Sequence, residues 1–198
     1  MALSKIDAAN FLTGTIPSGN IATSSLSAST IGKVIQVVGD ENAVVSDYTG
    51  TEGTEYDITE SGTWETSITM NQGNKLFMTF HLNTSKDSED ANYLIRPKFK
   101  VDSGSYGDIA NPVSSSSRRG CMIGGARAYD TNGYFINPIA GNFLWTPTIS
   151  GSTGVVKVKF VLVQTAGGNR RVYINYSHNT SDESMNGVCF CNLMEIEA

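Results

Sequence analysis

The sequence predicts an all-β protein, a jelly-roll-like β-sandwich preceded by an extended N-terminal segment. Most of the chain consists of short apolar runs that alternate as strands do, separated by turns rich in Gly, Asn and Pro. No stretch shows the spacing of three and four that marks an amphipathic helix. The first thirty residues differ again, because they carry one large apolar residue at every fifth position. These observations indicate a β-rich head domain and a segment of another kind before it.

The five-residue period is formed by Ile6, Phe11, Ile16, Ile21, Leu26 and Ile31. Neither a helix nor a strand would bring residues at this spacing to one face. So little apolar surface cannot form a core within one chain, but packing against identical copies would bury it. We therefore predict that residues 1–30 form an extended stalk with these six residues as its seam, and that residues 31–198 form the head. A solenoid of five-residue coils has the same period, but this segment holds too few repeats to bury a continuous face.

The first strands of the head can be placed by their apolar runs. The run 31–38 predicts the first strand. In the run 62–70 every second residue from Trp64 onward would share one face, and the run 75–82 follows after Gly73. A glycine between two such runs is typical of a hairpin turn. We therefore predict that the second and third runs pair with each other.

The middle of the chain is rich in loops. The run 93–101 contains Pro97, which cannot donate to a sheet ladder, so we expect an edge strand or a bulge there. The Gly- and Ser-rich loops and short strands that follow contain Tyr106, Tyr129 and Tyr134. Aromatic side chains in loops suit stacking on a sugar or on a protein. These three tyrosines are the predicted receptor contacts.

The last three runs give the clearest strands. Runs 155–164 and 171–177 flank the glycines of TAGGNR, which predicts a second hairpin. In the run 155–164, Val161 and Val163 make the side expected to face solvent apolar, which suggests a subunit interface. The final run, 187–198, places Cys189 and its alternate neighbours on one face.

Composition and charge exclude several classes of protein. With 198 residues, a net charge of -5 and no clustered Lys or Arg, the chain lacks the basic footprint of a nucleic-acid-binding protein. No stretch approaches the roughly 20 apolar residues of a membrane span, and no signal peptide is recognisable. We therefore expect no nucleic acid, no membrane insertion, and folding in a cytosol.

Sites for chemistry are scarce. No nucleotide-binding, metalloprotease or hydrolase motif occurs, and the only histidines, His81 and His178, lack the partners of a catalytic triad. The acidic cluster Asp87, Glu89 and Asp90 could contribute oxygen ligands to Ca²⁺, but a solvated hairpin tip explains it better. We predict no catalytic residues, no metal site and no cofactor.

Three cysteines are present, Cys121, Cys189 and Cys191. An odd number agrees with folding in a reducing compartment. A zinc site needs four ligands at workable spacing, so buried free thiols are the better interpretation.

Both ends of the chain resemble a known family, the short tail-fibre-like virion proteins of marine and freshwater bacteriophages. Residues 9–38 contain LTGTIP, a run of Ile and Leu anchors, and the strand GKVIQVV, in the order of that family's N-terminal motif. Residues 171–198 contain RVYINYS and the terminal LMEI, which are similar to its closing strands. The likeness is weak between these two segments.

The resemblance implies a homotrimeric fibre or spike whose β-sandwich knob attaches to a host surface glycan or protein. Other virion proteins, of the tail or the capsid, would hold its N-terminus after assembly in the host cytoplasm. It also implies that Leu193, Met194 and Ile196 pack the knob and that no enzymatic activity is present. Because the chain is short and shows no adaptor domain, a capsid-mounted head fibre or decoration protein is an alternative. A glycan-cleaving spike or a lectin-like carbohydrate-binding module is another, suggested by the loop aromatics and the acids.

Overall fold

The computed structural model describes residues 32–87, 92–109, 123–124, 136–166, 171–177 and 186–198. These residues form strands, turns and extended segments without a helix, so the all-β prediction is confirmed. The strands, which all lie in the compact unit Val34–Ala198, are β1 (Val34–Asn42), β2 (Ser46–Thr49), β3 (Glu55–Asp57), β4 (Glu65–Asn71), β5 (Lys75–Lys86), β6 (Asn92–Val101), β7 (Gly107–Asp108), β8 (Ile123–Gly124), β9 (Asn137–Trp145), β10 (Thr153–Ala166), β11 (Arg171–Ile174) and β12 (Cys189–Ile196).

The first sheet is built around β5. Strand β9 pairs with one edge of β5, and β12 and β11 follow one another along its other edge. The next row outward consists of β1, which pairs with β12, and β2, which pairs with β11. Every pairing is antiparallel. Strands β12 and β11 lie end to end in one row of the sheet, and β1 and β2 lie end to end in the next row.

The second sheet is built around β10 and is also antiparallel. Strand β6 pairs with one edge of β10, while β4 and β3 follow one another along the other. The short strands β7 and β8 pair with the outer edge of β6, at residues 98–99 and 94–95. No described strand pairs with Pro97 on that edge, which agrees with its predicted position.

An apolar core between the two sheets joins them. Phe160 of β10 lies 5.0 Å from Phe80 of β5 and 5.3 Å from Trp64, measured between ring centres. Such aromatic pairs add about 1 kcal/mol each beyond the area they bury. The predicted alternation is confirmed on three strands, whose buried residues include Ile68, Met70, Val156, Val158, Leu162, Cys189, Cys191 and Leu193.

Both predicted hairpins are wrong. Strand β4 pairs with β10 in the second sheet, whereas β5 belongs to the first, so the turn at Gly73 carries the chain from one sheet to the other. Likewise β10 lies in the second sheet and β11 in the first. Gly73 does adopt the positive φ expected of a turn, 87°. A turn residue, however, permits a reversal without deciding which strands pair afterwards.

The interpretation of the apolar residues on the predicted solvent side of β10 as a subunit interface is also corrected. Val161 and Val163 are only 1% and 2% exposed within a single chain. No second subunit is needed to explain their burial.

A buried asparagine fills the break between β11 and β12. Asn175 has a positive φ of 66°, and its Nδ2 donates to the carbonyl oxygens of Asn42 (2.6 Å) and Val44 (3.0 Å). Its backbone N–H donates to Asn83 O at 2.9 Å, and Cys189 Sγ donates to its Oδ1 at 2.9 Å. The side chain thus supplies the hydrogen bonds that the sheet ladder lacks at this point.

A buried carboxylate holds the other end of β12. Glu195 is 1% exposed, and its Oε1 accepts hydrogen bonds from Asn71 N (2.8 Å), Asn71 Nδ2 (3.2 Å) and Asn74 Nδ2 (2.7 Å). Its Oε2 accepts one from Gln36 Nε2 at 2.7 Å. Burial alone would raise the pKa of Glu195, but these donors hold the pKa below its ordinary value of 4.5.

We predict that Glu195→Gln destabilises the protein by about 3 kcal/mol, because a neutral amide loses charge-assisted hydrogen bonds and turns an N–H group toward buried donors. Denaturant unfolding of the full chain measures this change. Glu197→Gln, at an exposed position two residues away, is the matched control and should change stability little. Equal stabilities for the two variants would contradict the role assigned to Glu195.

Acid should also weaken the protein through the same group. Because the folded-state pKa of Glu195 lies below the unfolded one, its contribution is complete above about pH 5 and is lost as the pH falls through 4.5 toward the folded pKa. We expect the free energy of unfolding to fall over this range and the fall to be smaller in Glu195→Gln. Unfolding curves at several pH values test this, and parallel pH profiles for the wild type and the variant would refute it.

Candidate functional surfaces

Of the predicted receptor contacts, Tyr106 belongs to the described residues. Tyr129 and Tyr134 lie outside them, as do the six residues of the predicted seam, Ile6, Phe11, Ile16, Ile21, Leu26 and Ile31. The seam, the stalk and the contacts of these two tyrosines therefore stay predictions. The described residues do show two outer sheet faces with opposite chemistry.

Tyr106 is half-buried on the outer face of the second sheet. Its ring packs against two ammonium groups, with Lys100 Nζ 4.6 Å and Lys159 Nζ 4.5 Å from the ring centre. Its hydroxyl donates a hydrogen bond to Glu65. Cations near an aromatic ring are attracted by its electron-rich face. Tyr106 therefore has a structural role here, and the prediction that it contacts a receptor stays a prediction.

The charged face, as we name this outer surface of the second sheet, brings like charges together. Lys157 lies directly opposite Lys100, and Lys159 lies opposite Lys98. Like charges directly across a strand pair are destabilising. Acidic residues from neighbouring strands offset this repulsion. The closest pairs are Lys98 with Glu55 (2.5 Å), Lys157 with Glu65 (2.6 Å) and Lys159 with Asp57 (2.6 Å), and Arg96 also contacts Glu55 (3.1 Å).

Glu55 shows the electrostatics of this face. Partial burial raises the pKa of its carboxyl, but the hydrogen bonds and charges of Lys98 and Arg96 outweigh burial and hold the pKa below its ordinary value. Because the pairs are partly exposed, each contributes little to stability. What they provide is a face on which the charges of both signs are matched.

The outer face of the first sheet is apolar along one line. Register places Val37 opposite Met194, Met194 opposite Phe77 and Phe77 opposite Leu144, so one apolar residue from each of β1, β12, β5 and β9 lies side by side. We name these four residues the apolar row. Val37 is 54% and Leu144 50% exposed, and the two between them are half-buried.

The predicted packing role of the last strand is divided between the two sides of this sheet. Leu193 is fully buried in the core. Met194 belongs to the apolar row, and Ile196 lies opposite Val34 at the end of β1, on the same outer face. Val34 is 50% exposed. Apolar surface therefore extends from the apolar row to the first residue of β1.

The rest of this outer face is mostly polar, and it carries single charges at Lys75, opposite Ile196, and at Glu41, opposite Phe190. The neighbouring line consists of uncharged residues, Gly39, Asn192, Thr79 and Asn142. Beyond it, the rings of Phe190 and His81 stack 5.5 Å apart at an angle of 8°. His81 is thus a surface residue, hydrogen-bonded through Nε2 to Asn83 Oδ1 at 3.0 Å.

The two described cysteines are free and buried, as predicted. Burial raises the pKa of the Cys189 thiol to about 11 and that of the Cys191 thiol to about 12. Cys121 lies outside the described residues.

Among the described residues, no three or more His, Cys, Asp or Glu side chains form a group that could hold a metal ion. In the same part of the chain, no helix is long and apolar enough to cross a membrane.

No known protein family matches the chain, and no curated protein matches it significantly.

Sequence reasoning missed the apolar row. Its members come from strands that are far apart in the chain, and each one alone is an ordinary exposed apolar residue. The available indication was that β1, β5 and β12 each have apolar residues on both faces. Only the register shows that these residues align.

We predict that Cys189 and Cys191 resist alkylation in the native protein. At pH 8 a thiol with a pKa of about 11 is ionised in roughly one molecule in a thousand, and only the thiolate reacts. Mass spectrometry of peptides from iodoacetamide-treated protein measures labelling, and protein unfolded in guanidinium serves as the control that should label fully. Native labelling as fast as that of an exposed thiol would contradict the burial.

Proposed function

We propose that this chain is a non-enzymatic structural protein of a bacteriophage virion, a homotrimeric fibre or spike. In this proposal the two sheets are a jelly-roll-like β-sandwich knob that attaches to the host surface. Residues 1–30 are the stalk, and they hold the protein to the tail or the capsid.

The observation that carries the proposal is the apolar row on the outer face of the first sheet. A chain that works alone has reason to cover such a surface, whereas a chain that assembles with its copies has a use for it. The other outer sheet face has matched charges, as expected of a surface in water. This contrast supports a protein that is one part of an assembly.

The architecture supports the resemblance to phage fibre proteins in a second way. The two segments that carry it are neighbours in the first sheet, because β1 contains most of GKVIQVV and pairs with β12, which contains LMEI. Val37 lies opposite Met194, and Val38 opposite Leu193. The two motifs therefore belong to one structural unit. The repeated crossing of the chain between sheets also suits a jelly-roll.

Light scattering on the full chain tests the proposal. We expect a mass of about three times 21.2 kDa, and a lower mass or a weaker trimer for a chain that begins at Ile31, because that chain lacks five of the six seam residues. The truncated chain retains the whole compact unit Val34–Ala198. A monomeric full chain over the micromolar range would refute the trimer and favour a stand-alone binding module.

A further inference from the structure

We propose that the outer face of the first sheet, along the apolar row, is the surface through which the heads of neighbouring copies contact one another. The occupant of this face is thus a second copy of the same chain. The inference rests on the proposed trimer and adds to it a contact surface in the head, separate from the predicted seam of the stalk.

The apolar row is continuous rather than a scatter of single residues. With strands spaced about 4.8 Å apart, four adjacent strands make it about 14 Å wide. Val34, 50% exposed, and Ile35, 41% exposed, extend the apolar surface at its β1 end. Single exposed apolar residues need no explanation, but a contiguous line with an apolar extension is typical of a contact surface.

Charge favours a copy as the partner. Identical faces that meet bring identical charges together, so a self-contact requires a face with few charges. The apolar row contains none, and neither does the line of Gly39, Asn192, Thr79 and Asn142 on one side of it. The line on its other side holds one charge, Lys75 opposite Ile196. The charged face of the second sheet would instead oppose lysine to lysine. The first sheet is therefore the face that suits a copy.

The contact uses the face of the sheet rather than its edge. The pairing of β1 shifts register between Val34 and Gln36, so Ile35 forms an irregularity at the exposed edge. Such bulges hinder the addition of another strand. Gln36 also ties β1 to the second sheet, because its Nε2 donates to Thr69 O as well as to Glu195. On the face, in contrast, Val37 and Leu144 keep about half of their surface exposed.

Charged substitutions in the full chain test the contact. Leu144→Glu and Val37→Glu place a carboxylate in each copy of the face, and we expect at least a tenfold rise in the concentration at which the trimer dissociates. Val45→Glu is the matched control, since Val45 is 53% exposed but lies in the connection between β1 and β2. It should leave the mass unchanged. Circular dichroism checks that all three variants fold.

Photo-cross-linking decides the case even where the stalk alone maintains the trimer. A benzophenone amino acid at position 144 should form cross-links between copies, and the same group at Ser67, exposed on the second sheet, should not. A trimer that yields no cross-links from position 144 would overturn this inference and leave the proposed function standing. A monomeric wild type would overturn both.

Discussion

The buried carboxylate of Glu195, which amide donors satisfy, ties the two sheets together at one end of the core. Glu195 is buried, and its four hydrogen bonds come from amide groups of β1, of the end of β4 and of the turn before β5. Asn71 belongs to the second sheet and Gln36 to the first, so the carboxylate bridges the layers where the chain crosses between them. The carboxylate charge is satisfied only when each of these amide groups points at one of the two carboxylate oxygens, which requires a specific arrangement of the strands that carry them. The position of β12 therefore follows from this group, and with it the face that β12 presents outward.

Hydrogen bonds between uncharged groups hold the opposite end of β12. Asn175 replaces missing ladder bonds with its side-chain amide, and Cys189 donates to it from the first residue of β12. This side chain links the residue after β11 to the carbonyl groups of Asn42 and Val44. Since both ends are fixed, β12 keeps one register with β5 from Phe190 to Ile196, and with β1 from Gln36 to Asn42. A slip of one residue would turn Met194 inward and Glu195 outward, which neither end allows.

The sequence predicts local structure here better than it predicts pairing. Alternation correctly placed Trp64 and Ile68 on the core side and Cys189 and Cys191 together, because burial of one face is encoded in each strand separately. The hairpins failed at Gly73 and before Arg171, since a turn has the same residues whether the chain stays in a sheet or leaves it. The apolar row could not be predicted either, because Val37, Phe77, Leu144 and Met194 align only through three separate pairings.

The two outer faces then suggest an orientation for the proposed assembly. The charged face matches its lysines with acids and with the ring of Tyr106, an arrangement that water stabilises further. The apolar row gains only by losing contact with water. In the proposed trimer the copies would therefore turn their first sheets toward one another and their second sheets toward solvent. In this proposed arrangement Tyr106 would lie on the solvent side of the head, so its structural role and its predicted contact role are compatible.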